Sequence, residues 1–310
     1  MTKILIDAFG GDNAPIDILK GVLDAKKRCN IDISIVGNKD KITKLADDNK
    51  LNIENLEIIN CKTEISGNDD PMEILKSKSE SSMAVGLSVL SQGNFDVFVS
   101  AGNSGALLVG TNMIVKRAPN IRRIAFAPIV PKLNGNFLLL DAGANAQCSA
   151  EILHQFAFMG ADYFKTISNI ENPKVGLLNI GSEDNKGDNL RKETYQLLKS
   201  SDLNFIGNIE PTEILTGDCN VVVSDGFSGN IFIKSIESTI KALVYLFKKD
   251  SKNLEFLKNN EHTYLNKKKF AQESYSILLG ANRPVIKLHA SIDSLSLCEF
   301  LISLNDNFKN

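Results

Sequence analysis

Short apolar runs alternate along this chain with longer amphipathic stretches. KILIDAF near the N-terminus, IDISIVGN from Ile31, LEIINCK from Leu56 and FDVFVSAG from Phe95 read as strands. Between the first two, Asp12 to Arg28 places Ile18, Leu19, Val22 and Leu23 on one helical face, and a charged helix follows near 39–49. Asp70-Pro71 supplies an N-cap and a first-turn proline, which predicts a helix running to about Leu90. Ser104 stands where it would cap the helix behind FDVFVSAG. IAFAPIV and NFLLLDAG flank LNGN, and Asn134-Gly135 is a hairpin signal. Further on come a helix from Ser149, the strand KVGLLNIG, a helix near 188–200, the strands FIGN and NVVVSDG, a helix from about 227 and the strand PVIKLH.

Repeated strand–helix alternation predicts an α/β fold: a mainly parallel sheet covered on both faces, with one antiparallel insertion. No linker rich in Pro, Gly or Ser interrupts the pattern, so the expectation is a single domain over 1–310. The one shift is the lysine-rich stretch 248–272, part of an expected helical excursion at about 240–275.

Composition narrows the function. A net charge of −2 gives no global attraction to nucleic acid. Apolar runs stay well short of the ~20 residues that span a bilayer. MTKILIDAFGG leads straight into a strand and a glycine turn, unlike a signal peptide. The five cysteines are scattered and unpaired as CxxC, so a reduced, cytoplasmic protein is expected. With three histidines and no Cys/His cluster, no metal site or other cofactor is expected.

The chemistry gathers at the C-terminal ends of the strands. Asp7 to Asn13, Ser100 to Gly105, Asp141 to Asn145, Asn179 to Gly181 and Asp225 to Asn230 are all turns rich in Gly, Asn and Asp. Ligands of parallel α/β sheets lie outside those strand ends, and a glycine turn leading into a helix offers N–H groups to an anion. One such turn needs no more explanation than a positive φ; five of them suggest a shared crevice for a small oxygen-rich anion. No GxxxxGK[ST], GxGxxG or GxSxG is present, and no covalent nucleophile stands out. Lys186 before a helix, and His289 at the end of PVIKLH, are the cationic and acid–base candidates.

These residues resemble a known family. Asp7-Ala8-Phe9-Gly10-Gly11-Asp12-Asn13-Ala14-Pro15 is similar to the opening signature of the phosphate acyltransferases of bacterial phospholipid synthesis. In order follow KSKSESSMAVGL at 76–87, SAGNSGALLVG at 100–110, LLDAGANAQC at 139–148, QFAFMG at 155–160, VGLLNIGSEDNKG at 175–187 and DGFSGNIFIKSIE at 225–237. The C-terminal part departs: Ser274-Tyr275-Ser276-Ile277 replaces the family's Gly-Gly-Ala-Pro, and His289-Ala290-Ser291-Ile292 its His-Gly-Ser-Ser.

The resemblance implies a three-layer α/β/α sandwich related to phosphotransacetylase and to the isocitrate and isopropylmalate dehydrogenases. It implies transfer of a fatty acyl group from acyl carrier protein to inorganic phosphate, by a homodimer peripherally associated with the cytoplasmic membrane face. On that reading Lys186 neutralises phosphate or the oxyanion, and Asp225 orients Lys186 or a neighbouring donor. Asn103, Asn179 and Asn230 position phosphate and carbonyl, and His289 protonates the leaving thiolate. Asp7, Gly10, Gly11, Asp12, Asn13, Ser104, Gly105, Asp141, Asn145, Gly226 and Gly229 complete the substrate site. An acidic carrier needs a basic docking patch, for which Lys76, Lys78, Arg122, Arg123 and Lys267 to Lys269 are candidates. The stripe Ile236, Ile240, Leu243, Val244, Phe247 suits a dimer core first and membrane contact second. A phosphotransacylase using acyl-coenzyme A and a non-catalytic carrier- or membrane-binding scaffold remain open at this stage.

Overall fold

The computed structural model describes residues 2–248 and 275–307. The first half of the chain forms β1 (Lys3–Asp7), α1 (Ile16–Arg28), β2 (Asp32–Gly37), α2 (Lys39–Asp48), β3 (Glu57–Asn60), α3 (Ser82–Ser91), β4 (Val97–Ser100) and α4 (Ser104–Gly110). There follow β5 (Ala125–Pro131), β6 (Asn136–Leu140), α5 (Ala150–Ser168), β7 (Val175–Leu178), α6 (Asn189–Lys199) and β8 (Phe205–Ile209). The last elements are α7 (Pro211–Ile214), β9 (Val221–Val223), α8 (Gly226–Lys248), β10 (Tyr275–Leu279), β11 (Val285–Leu288) and α9 (Ser294–Asn307). Most of the expected excursion, with His262 and Lys267 to Lys269, lies outside the described residues.

The chain, expected to be a single domain, forms two compact units: Met1–Asn120 with Tyr275–Asn310, and Ile121–Ser274. In the first unit the strand order is β3-β2-β1-β4-β11-β10, parallel except for β10 against β11. Its inner strands β1, β2 and β4 are buried on both faces, which is why they read as continuous apolar runs. Ile4, Ile6, Ile33, Ile35, Val97 and Val99 share one core with residues of α1 and α9. Residues of opposite parity point the other way, where α3 lies so close that a Cβ on Gly86 would come within 2.2 Å of the Phe98 ring. Each such fully buried large side chain contributes roughly 2 kcal/mol through its removal from water.

The second unit runs β5-β6-β9-β7-β8, again parallel apart from the β5–β6 hairpin. Gly135 turns that hairpin with φ +90°. α5 covers one face, with Gly160 against Val221, Leu138 and Leu140. α8 covers the other, packing Ile233 into the cluster of Phe137, Leu139, Leu178 and Val222. Helices on both faces of a mainly parallel sheet make each unit three-layered.

Several local expectations are corrected. The helix expected from Asp70 to Leu90 is a 3₁₀ turn over Pro71–Leu75 followed, after a break, by α3. The break has a tertiary cause: the Glu80 carbonyl accepts the N–H groups of Lys62 and Thr63, and Ser82 N–H donates to Thr63 O, so 80–82 pairs with the chain after β3. The cap of α4 is Asn103, whose Oδ1 accepts from Ala106 N–H at 3.0 Å, not Ser104. Of the α8 stripe, Ile236 and Ile240 are buried within their own unit beside Leu215 and Phe232, so they offer no free dimer surface. Leu243 is exposed, and the side chains of Val244 and Phe247 lie outside the described residues.

Candidate active site

In the first unit the strand order 3-2-1-4 puts a topological switch between β1 and β4, and the turns after both strands meet there. Asp7 ends β1, 2% exposed. Its Oδ2 accepts from Ser100 Oγ at 2.7 Å and its Oδ1 from Phe9 N–H at 3.1 Å. Ser100 Oγ in turn accepts from Gly102 N–H at 3.0 Å. Gly10 fits between them: a Cβ would lie 2.7 Å from Gly102 N and 2.9 Å from Asp7 Oδ2. Burial raises the Asp7 carboxyl above its ordinary value, while bonds from Ser82, Ser100 and the Phe9 amide, and the nearby Lys287, pull it back. Asp7 is thereby an organiser of the turn rather than a group facing a ligand.

Gly11 takes φ +118°, and Asp12 N–H donates to Ala290 O at 2.7 Å, tying the first turn to the residue after His289. His289 is itself exposed. Asp12, Asn13 and Ser104 present exposed side chains, and Gly105 sits against the Pro71 ring. Asn103, expected to position phosphate, is engaged elsewhere: besides capping α4, its Nδ2 donates to the carbonyls of Ser66, Gly67 and Asp69 at 3.1, 3.3 and 3.1 Å. Its role in the structure is to fasten the 66–69 loop. That loop and the two turns enclose a cleft of about 720 Å³ with Phe9, Pro15, Leu45 and Ile65 among its apolar walls and Lys41 and Lys287 as its cations.

In the second unit Asp141 is completely buried. Its carboxylate accepts N–H groups of Phe126, Gly143, Ala144 and Asn145 and the Asn145 side-chain amide, at 2.6–3.1 Å. Burial raises its carboxyl too, against the pull of those bonds. Asn145 also donates to Ile124 O at 2.8 Å. Asp141 and Asn145 thus build the turn after β6. The start of α8 presses on that turn, and Gly226 N–H donates to Asn145 O at 2.8 Å. Cβ atoms on Gly226 and Gly229 would lie 2.7 Å from Asn145 O and 1.9 Å from Asp141 O. These glycines serve close approach, and Asn230 is left exposed over Gly143.

Asp225 pairs with Arg191, not with Lys186. Its carboxylate takes the Arg191 guanidinium and accepts from Ser228 N–H and Oγ at 2.9 and 3.1 Å. Arg191 reaches Ser228 Oγ at 2.8 Å and Asp188 at 3.0 Å as well, with its side chain only 13% exposed. Arg191 is the residue that the sequence reading missed; its signal was an Arg one helical turn behind the Asp188 cap. Lys186 sits on the 180–187 loop with its side chain 48% exposed, its ammonium 3.7 Å from Glu183. Asn179, expected to position substrate, holds that loop instead: Oδ1 accepts from Ile180 N–H at 2.8 Å and Nδ2 donates to Lys186 O at 3.2 Å.

Thiol chemistry has no support here, since burial pushes Cys61, Cys148 and Cys219 up to about 11. Among the described residues no group of three or more His, Cys, Asp or Glu is arranged to hold a metal. Exposed polar groups at these turns include Asn13, Ser104 and His289 in the first unit and, separately, Lys186 and Asn230 in the second. They suit the binding of an anion and the stabilisation of an oxyanion.

Comparison with known proteins gives the family and the fold. The model of the family described as "Fatty acid synthesis protein" matches residues 2–300. A phosphate acyltransferase of Thermoanaerobacterium thermosaccharolyticum is 42% identical over 302 residues, covering 95% of this chain and 90% of that protein. One from Clostridium acetobutylicum is 38% identical, covering 94% and 90%. In fold, the chain is similar to a phosphotransacetylase from Streptococcus pyogenes, with a TM-score of 0.66 at 16% identity over 100% of this chain and 95% of that one. A 4-hydroxythreonine-4-phosphate dehydrogenase from Salmonella typhimurium follows with a TM-score of 0.54 at 9% identity, over 100% and 99%. The chain therefore belongs to the fatty acid synthesis protein family, among relatives that are phosphate acyltransferases.

Proposed function

We propose that this acyltransferase moves a fatty acyl group from acyl carrier protein to inorganic phosphate, giving acyl phosphate for glycerophospholipid synthesis. The observation that carries the reading is 42% identity to a phosphate acyltransferase over 95% of the chain. An oxygen of hydrogen phosphate attacks the thioester carbonyl, the C–S bond breaks, and the phosphate proton ends on the departing thiolate. Acyl phosphate and free carrier thiol balance the reaction with no cofactor.

The thioester is already activated, so the protein's part is orientation and charge stabilisation, each supplying several kcal/mol of the barrier. Lys186 carries a half-exposed ammonium on a fastened loop, and Glu183, the carboxylate 3.7 Å from it, is also exposed and easily exchanged for phosphate. Asn230 offers an amide to the carbonyl or phosphate, and His289 a route for the proton. Asp225 holds Arg191, and with it the start of α8. Function as a cytoplasmic homodimer touching the inner membrane face is part of the proposal. It is supported by the exposed Leu243, Tyr245 and Leu246 on α8, while no described helix is long and apolar enough to cross a membrane.

The test is acyl phosphate formation, trapped as hydroxamate, from palmitoyl-carrier protein and from palmitoyl-coenzyme A. Turnover of the carrier thioester that falls at least 100-fold (~3 kcal/mol) in Lys186→Ala is expected. Activity only with the coenzyme A thioester would reassign the donor, and near-normal turnover by Lys186→Ala would remove that residue from the chemistry.

A further inference from the structure

We infer that the cleft between the β1 and β4 turns binds the 4′-phosphopantetheine arm of the acyl donor, with its phosphate on Lys41. The inference rests on the carrier-protein donor proposed above. The cleft holds about 720 Å³, the scale of organic-ligand sites and far beyond the needs of a phosphate ion. It lies at the topological switch point of the first unit's sheet, where such ligands bind.

The walls match an arm that is apolar and polar by turns. Phe9, Pro15, Leu45 and Ile65 offer a surface for the gem-dimethyl and ethylene groups. The turn backbone at Gly11 and the exposed side chain of Ser104 offer donors and acceptors to its two amides. A saturated acyl tail fits worse, since it would cover those polar groups without bonding them. The charges are graded along the cleft. Lys41 stands at the mouth, its side chain 59% exposed, 5.6 Å over the Phe9 ring and 3.3 Å from the exposed Glu64. A pair that exposed is weak enough for a phosphate to replace Glu64 as partner. Lys287 is half-buried and donates to Ala101 O at 3.2 Å, inside the cleft.

Gly67 supplies a test: it lines the cleft, its φ lies outside the left-handed region, and a Cβ there meets nothing within 4 Å. Binding of free 4′-phosphopantetheine and of dephosphorylated pantetheine to the full chain would be measured by calorimetry, beside kinetics with palmitoyl-carrier protein. Phosphopantetheine should bind about five- to tenfold tighter than pantetheine, and Lys41→Glu should abolish that difference. Gly67→Phe should raise the KM for the carrier thioester about tenfold or more and leave the KM for phosphate within about twofold. Equal binding of the two compounds by the unaltered protein, or an unchanged KM in Gly67→Phe, would overturn the assignment. So would palmitate binding that Gly67→Phe blocks, which would give the cleft to the acyl tail. A protein that binds phosphopantetheine at the cleft but makes no acyl phosphate would keep this inference and sink the proposed reaction.

Discussion

At Gly229 the backbone of α8 and the turn after β6 meet with no space for a side chain, a Cβ falling 1.9 Å from Asp141 O. Both partners are main chain, so neither can swing away. Gly229→Ala is expected to cost about 3 kcal/mol, seen as a drop in the denaturant midpoint, whereas Gly67→Ala should be near neutral. Asp7 adds a pH signature. Burial raises its folded-state value above the ordinary 3.8, so between 3.8 and the raised value the native state holds more proton than the unfolded chain. Stability from this group is therefore greatest at low pH and declines as pH rises through that window. Asp7→Asn removes the titration. Unfolding at a series of pH values should show the unaltered protein losing stability relative to Asp7→Asn as pH rises above about 4.

At the scale of the element, the 180–187 loop is held at several points by neighbouring strands and a helix. Asn179 at the end of β7 holds Lys186 O, and Asn208 on β8 donates to Glu183 O at 2.7 Å. Asp184 is tied to Lys199 of α6 at 3.1 Å. The backbone at Lys186 is thereby fixed, which would preorganise the lysine for the role proposed for it. Asn208→Leu should lower kcat about tenfold and stability by only about 1 kcal/mol, with faster amide exchange at Lys186 as the direct readout. Unchanged exchange there would show that Asn208 does not set the loop. β7, which leads into this loop, was legible in the sequence because burial on both faces leaves an unbroken apolar run. Asn38 and Asp188 cap α2 and α6, accepting from Lys41 and Arg191 N–H. What escaped was tertiary in origin: the break at 80–82 depends on pairing with Thr63, and β10 exists as the partner of β11. α9 had signals that went unread, Asp293 capping Ser296 N–H at 2.8 Å and Leu297, Leu301 and Leu304 spaced along its buried face. The glycine and aspartate turns were legible one by one as turns at strand ends. Their division of labour was not, because sequence does not say whether an amide such as Asn103 or Asn179 faces a ligand or its own backbone.

For the whole molecule, a net charge of −2 leaves little long-range field to draw in an acidic carrier protein. If the donor is the carrier protein proposed above, its docking has to rely on local cations, and the candidates differ in their surroundings. Lys78 is already committed, 3.7 Å from Asp69 and donating to Glu64 O at 3.0 Å, with its side chain 32% exposed. Lys76 and Arg123 are exposed, and no salt bridge is seen for either among the described residues. Charge reversal at these two positions, Lys76→Glu and Arg123→Glu, should each raise the KM for palmitoyl-carrier protein by about three- to tenfold at low salt. The effect should shrink as ionic strength approaches physiological values, where the screening length is about 8 Å. Neither change should alter the KM for phosphate, because a small ion does not use a docking patch. Lys78→Glu is the internal contrast: it should lower stability through the lost Asp69 and Glu64 contacts while leaving the salt dependence of the carrier KM nearly unchanged. If all three variants shifted the carrier KM alike, the carrier would be reading a diffuse surface potential, and the division between committed and available lysines would carry no functional meaning.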